Sequence, residues 1–287
     1  MTALVSMLID HAGYILFLSG RLSGLPYMLM RLLGRAAFPV FAFLIVNGHF
    51  KTGNQRAYLS RLTLFAAVSQ ISFTLAFSAG NYRLSPGAFP GNFSAEFTAG
   101  PLDYTLIAVV IAVCLFVFRR KKPLNVLMYL LPALLLSRLR LSWGGLQLLG
   151  DSLNVFYTLT LGLALISLID LSRRPRENYS TAEIILLWFA LLAASVLILP
   201  RSDYGFMGVL LIGLMYIARR RKIFEIIAAA LWCLLEYSFS PYLAGALLAL
   251  VPIYFYNGKK GRPVKLGFYL FYPAHLLLLY FAAVLIA

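Results

Sequence analysis

The sequence predicts an all-α, polytopic transmembrane helical bundle of about eleven helices with a cytoplasmic N-terminus, and three observations predict it. The first is composition. Of the 287 residues 61% are hydrophobic and 12% are charged, against about 45–50% and ~25% in soluble domains. The second is segmentation. Apolar runs close to the roughly 20 residues that span hydrocarbon recur at 3–19, 27–49, 61–79, 102–118, 123–140, 154–171, 181–199, 204–219, 222–238, 241–256 and 264–286. The third is charge placement. Lys51/Arg56/Arg61, Arg119 to Lys122, Arg173/Arg174/Arg176, Arg219 to Lys222 and Lys259 to Lys265 all fall on one side if the N-terminus is inside.

Cytoplasmic loops carry an excess of Lys and Arg, so the formal charge of +15 reads as topology and not as nucleic-acid binding. The bilayer, anionic headgroups and anionic substrates are the partners that such clusters suit. No long polar stretch is left over, so residues 1–287 read as one integral membrane domain. The opposite face receives a Gly/Pro/Ser/Phe-rich loop from Gly80 to Pro101 and a second loop near Ser142 to Ser152. Cys114 and Cys233 sit in separate apolar runs with neither CxxC nor zinc spacing, so no disulfide framework and no metal site is indicated. The first twenty residues lack a basic leader and a small-residue cleavage site, so the first helix reads as retained.

Ionisable residues at bilayer depth are costly, about 2.5–3.5 kcal/mol each on insertion scales, and they mark a polar interior. Asp10 and His11 are consecutive, hence about 100° apart on a helix, and need separate partners. Arg31 and Arg35, four apart, share a face of the second helix. One of them is expected to neutralise Asp10 and the other to hold a substrate carboxylate or phosphate; the alternative is that both snorkel toward the outer interface. Glu236 and His275 are further interior candidates, with Pro273 able to bend the helix beside the histidine. Asp203-Tyr204 opens the eighth run, where Asp203 also fits a plain N-cap. His49, beside Lys51, reads as an interfacial residue.

Five blocks in order resemble the TraX-like pilin acetylase family: MLIDHAG from Met7, GRAAFPVFAFL from Gly34 continuing through NGHFKTGNQRAYLSRLTLFAAVSQISF to Phe73, LNVFYTLTLGLALISL from Leu153, SDYGFMGVLLIGLMY from Ser202, and YNGKKGRPVKLGFYLFYPAHLLLLYF from Tyr256. The stretch 80–151 carries none of this pattern and reads as an inserted pair of helices with their loops. The resemblance implies a multi-pass bacterial inner-membrane protein that transfers an acetyl group from acetyl-CoA to the N-terminal amine of pilin. More broadly it is similar to transmembrane acyltransferases, which act on amines or hydroxyls of peptides, glycans or lipids. By that resemblance the functional pair falls on Asp10 and His11, the arginine of the GR-x-x-FP block on Arg35, and the YP-x-H histidine on His275.

Acyl transfer from a thioester needs a general base and a group that meets the oxyanion. His11 is the expected base, because an imidazole accepts and returns a proton near neutrality. Asp10 is its electrostatic neighbour. An arginine, the side chain of Asn154 or Tyr157, or His275 is expected at the oxyanion, and the basic loops are expected to attract the phosphates of coenzyme A. Two other classes fit the same charges: a transporter or flippase for an anionic or lipid-linked substrate, and a non-catalytic membrane subunit.

Overall fold

The computed structural model describes residues 2–82, 91–118, 130–173, 179–238, 240–259 and 267–285. Its helices are α1 (Thr2–Leu18), α2 (Gly24–Gly34), α3 (Ala37–Lys51), α4 (Gln55–Phe77), α5 (Pro101–Phe118), α6 (Leu130–Leu136), α7 (Val155–Arg173), α8 (Thr181–Ile198), α9 (Gly205–Ala218), α10 (Lys222–Tyr237), α11 (Tyr242–Leu247), α12 (Leu250–Tyr254) and α13 (Gly267–Leu285). With α2–α3 and α11–α12 each counted as one broken helix, they follow the predicted apolar runs in order, and the protein is an all-α helical bundle. Four stretches, Gly24–Lys51, Gln55–Phe77, Val155–Arg173 and Thr181–Arg201, are long and apolar enough to cross a membrane. The basic positions Arg119 to Lys122, Arg174, Arg176 and Lys260 to Lys265, and the first part of the 123–140 run, lie outside the described residues.

Both breaks have one cause in the sequence. A proline lacks the N–H that would bond the carbonyl four residues back and crowds that carbonyl, so past the first turn it kinks or breaks a helix; α13 runs on through Pro273, while two other helices break. Pro39 withholds that bond from Arg35, and the chain turns at Arg35–Ala36 before α3 begins. Pro252 does the same to Leu248, and the chain turns at Leu248–Ala249. Other ends are set by side chains. Asn54 accepts from the amide of Ala57 ahead of α4, and Ser180 and Glu183 form a capping box on α8.

A small antiparallel sheet, β1 (Phe93–Phe97), β2 (Leu139–Trp143) and β3 (Leu146–Leu149), occupies stretches expected to be loops. Gly144 and Gly145 make the tight turn between β2 and β3, both at positive φ (58° and 84°), as two-residue hairpins of this kind require. Asn81 ties β3 to the bundle. Its side-chain amide donates to the carbonyls of Gln147 and Leu75, while its side-chain oxygen accepts from the Gln147 amide.

The bundle therefore has a sheet end and a basic end. At the basic end the Lys51 ammonium donates to the Tyr256 hydroxyl and the Gly258 carbonyl, at 2.5 and 2.7 Å, and Lys222 donates to the Tyr256 carbonyl. Trp232, Phe38, Leu161 and Ile212 are among the buried side chains between the two ends. Cys114 and Cys233 are buried free thiols.

Candidate functional site

A cavity of about 500 Å³ reaches from the sheet end into the middle of the bundle. Asp10, His11 and Tyr14 of α1, Arg31 and Gly34 of α2, and Arg35 at the α2–α3 break line one side. Phe77, Gln147, Asp151, Asp203, Tyr204, Glu236 and Tyr237 are among the residues that complete it.

Asp10 is the electrostatic centre of the wall. Its Oδ2 accepts from Arg31 Nη1 at 2.7 Å and its Oδ1 from Arg35 Nη2 at 2.5 Å. Both arginines thus bond one carboxylate, Arg31 through Nη1 and Arg35 through Nη2. The expectation that one would pair with Asp10 while the other stood free for substrate is corrected, and so is the alternative that both snorkel: two cations share one anion, and the trio carries one net positive charge on the cavity wall. Arg35 is further held by donating from Nε to the Arg31 carbonyl at 3.2 Å, and Arg31 lies 4.7 Å above the Tyr14 ring. The approach of α1 to α2 that permits this depends on Gly34, where any Cβ would collide with Asp10.

His11 points away from the arginine clamp, as the 100° separation required. Its Nδ1 is 2.7 Å from Nε2 of His275, and Nδ1 of His275 is 2.7 Å from the Phe271 carbonyl. The His11 ring stands edge-on to Phe77 and Tyr272. His275 is buried and does not line the cavity.

Asp203 is carried by the strap that joins α8 to α9 and is bonded to Leu153, just ahead of α7. The Leu153 amide donates to the Arg201 carbonyl at 2.7 Å, the Asp203 amide donates to the Leu153 carbonyl at 3.1 Å, and Thr158 Oγ1 donates to the Asp203 carbonyl. Asp203 caps no helix, which corrects the N-cap reading. The N-cap of α9 is Tyr204, with φ of 60°, a left-handed conformation uncommon outside glycine. Its ring stacks on Phe38 at 3.9 Å between centroids. The Asp203 side chain opens onto cavity solvent but has protein on every side. That depth pushes its pKa up to about 6, against the pull of Arg35. Among the described residues neither Asp203 nor Glu236 has a cationic side chain within 4.0 Å, whereas Asp151 is paired with Arg140 at 2.5 Å.

Two expected site residues lie elsewhere. Asn154 is fully buried, its amide nitrogen donating to the Ala66 carbonyl and to Gln70 Oε1 while its oxygen accepts from the Phe156 amide. It holds the start of α7 against α4. Tyr157 is also buried and off the cavity. His49, expected at the interface, is buried in protein at the basic end, with Nε2 2.7 Å from Asp170 Oδ2, and Tyr216 donates to the other oxygen of Asp170. Tyr14, Phe77, Gln147 and Tyr237 were missed, since an aromatic or amide in an apolar run carries no signal that separates cavity wall from core. Among the described residues no group of three or more His, Cys, Asp or Glu side chains could hold a metal ion.

A second cavity of about 310 Å³ adjoins the first toward the basic end. Leu4, Leu62, Leu159 and Tyr269 line it, and Met7, Phe41 and Val155 line both cavities.

A family model described as TraX protein matches residues 1–136 and 148–283. The break at 137–147 falls on the β2–β3 hairpin at the sheet end. The chain is 27% identical over 281 residues, covering 96% of its length and 91% of the relative's, to the probable fimbrial assembly protein FimC, serogroup H1, of Dichelobacter nodosus. No solved structure matches.

Proposed function

Because the chain belongs to the TraX family, we propose that it is a membrane-embedded acyltransferase of pilus or fimbrial assembly, moving an acetyl group from acetyl-CoA to an amine. The observation that carries this reading is a buried imidazole, His11, on the wall of a cavity that also presents a net-positive Asp10–Arg31–Arg35 clamp. That combination supplies a base beside a fixed cationic surface, the two requirements of acyl transfer.

In the proposed reaction an acceptor ammonium meets Asp203 and Glu236, sheds one proton to water, and descends as the amine. Its nitrogen attacks the thioester carbonyl carbon while His11 takes the nitrogen's proton. The oxyanion that forms is met by the N–H groups of Arg31 and Arg35. It collapses with cleavage of the C–S bond, and the thiolate recovers the proton from His11, leaving an amide and free coenzyme A. Two carboxylates beside the site, without a cationic partner within 4.0 Å among the described residues, favour a cationic acceptor over a hydroxyl.

The apolar cavity gives the donor a direction. It continues from Met7 toward the basic end, so a thioester arm arriving there reaches His11 from the side opposite the acceptor. If the basic end faces the cytoplasm of an inner-membrane protein, the lysines and arginines there meet the phosphates of coenzyme A.

The test is label transfer by the purified protein from radiolabelled acetyl-CoA to processed pilin or a peptide amine. An acetylated N-terminus in mass spectrometry is the expected product. Substrate counterflow in proteoliposomes without coenzyme A, and no label transfer, would replace this reading with transport.

A further inference from the structure

We infer that His275 is a positioning residue that fixes the tautomer of His11, so that Nε2 of His11 is the basic nitrogen. This rests on the acyltransferase reading for its catalytic meaning and on hydrogen-bond logic for its geometry. The Phe271 carbonyl can only accept, so Nδ1 of His275, 2.7 Å away, carries a hydrogen. With that ring neutral, Nε2 of His275 is a bare lone pair. It faces Nδ1 of His11 at 2.7 Å, and two lone pairs do not meet at that distance, so Nδ1 of His11 donates. A neutral His11 then has an unprotonated Nε2, on the side of the ring away from His275 and toward the cavity.

The rings are set for this. Their planes differ by 8° and their centroids lie 5.0 Å apart, so with the two nitrogens 2.7 Å apart the rings meet edge to edge and the N–H of one points along the other's lone pair. His275 is stacked on Phe271 at 4.7 Å and lies edge-on to Tyr272, so it has little freedom to turn. A second cation here would stand near Arg31 and Arg35, of which Asp10 directly pairs with both but offsets only one charge, which favours an uncharged partner for His11. The arrangement has the logic of a carboxylate–histidine pair, in which the partner selects the tautomer and holds the ring, with a neutral acceptor in place of the anion. When His11 takes the acceptor's proton on Nε2, its Nδ1–H bond to His275 strengthens, and the proton stays available for the departing thiolate. His275 touches no substrate in this scheme.

The protein has three histidines, His11, His49 and His275, so nitrogen-15 histidine labelling gives a spectrum that single substitutions assign. The expected result is His11 in the Nδ1–H form. His275→Leu is expected to mix the tautomers and to lower kcat about 10- to 100-fold, the range seen when a partner that orients a ring is lost, with KM little changed. His275→Gln, whose amide oxygen can accept in place of Nε2, is expected to recover most of that loss. An Nε2–H signal for His11 in the wild-type protein overturns the inference, whatever the variants do. So does a His275→Gln protein as impaired as His275→Leu. A wild-type protein that shows the Nδ1–H form but turns over no thioester overturns the acyltransferase reading, and with it the catalytic sense of the pair.

Discussion

The bundle has two neighbourhoods in which a buried histidine lies near a carboxylate, one toward each end, built differently from similar parts. Toward the sheet end, Asp10 gives both oxygens to arginines, and the adjacent His11 is left to a second histidine and an open cavity. At the basic end His49 bonds directly to Asp170, Tyr216 takes the other oxygen, and neither histidine nor aspartate lines either of the two cavities described. The second joins α3, α7 and α9 through Asp170, and leaves His49 Nδ1 buried without a partner among the described residues. The first leaves a ring nitrogen and a net charge facing empty space. On the proposed acyltransferase reading, a buried histidine becomes a reagent when its neighbours take the carboxylate away from it and leave room beside it.

Replacing the carboxylate should separate the two neighbourhoods most sharply. Asp10→Asn strands two neighbouring guanidinium groups whose side chains are 19% and 14% exposed, and a broken pair of this kind costs about 3 kcal/mol or more. Thermal unfolding in detergent should show a large drop in Tm, and acyl transfer should fall with it. Asp170→Asn, at a carboxylate 36% exposed, should cost about 1 kcal/mol or less and leave turnover per folded molecule intact. Equal losses at both would dissolve the distinction.

Arg35→Lys keeps the charge but not the planar fork that spans Asp10 and the Arg31 carbonyl. Turnover should fall by about tenfold, on the order of one lost charge-assisted hydrogen bond. Lys259→Ala at the basic end should lower it less. The reverse order would argue that Arg35 does not face the reacting groups.

A smaller, pH-dependent effect is expected from Asp203. Its carboxyl titrates near pH 6, so kcat/KM for a cationic acceptor should rise with pH through that value, and Asp203→Asn should remove that limb. The sign for stability is opposite. The folded state holds this proton between the ordinary carboxylate pKa near 4 and about 6, where the unfolded chain has released it, so the Asp203 contribution to stability declines as pH rises across that window. A flat profile in the wild-type protein would remove Asp203 from acceptor binding.

Much of this was legible before the fold was known, and what was missed has physical causes. Apolar runs predict the helices because length against bilayer thickness is a one-dimensional property. Asp10, His11, Arg31 and Arg35 stand out because charge at that depth is costly, and the four-residue spacing placed both arginines on one wall. That both serve a single aspartate depends on the close approach at Gly34, which spacing does not encode. The break at Arg35–Ala36 is implicit in Pro39, yet a proline in an apolar run does not announce whether the helix bends or stops. His49 read as interfacial because it sits beside Lys51, and only the packing of α7 against α3 buries it. Asn154 lies in a block shared with the family, but its role is to close the backbone at the start of α7. The sheet was missed because strands of four or five residues between loop residues leave too short a pattern to separate from irregular chain. The bond between His11 and His275 joins residues 264 apart, which no local rule reaches.

The most direct test sets His11→Ala and His49→Ala side by side in one single-turnover assay of label transfer from acetyl-CoA, each at matched folded fraction. Loss of about 10²- to 10⁴-fold in the first, the usual range for a general base, with turnover retained in the second, is the result this structure predicts. Wild-type turnover by the folded His11→Ala protein would contradict it.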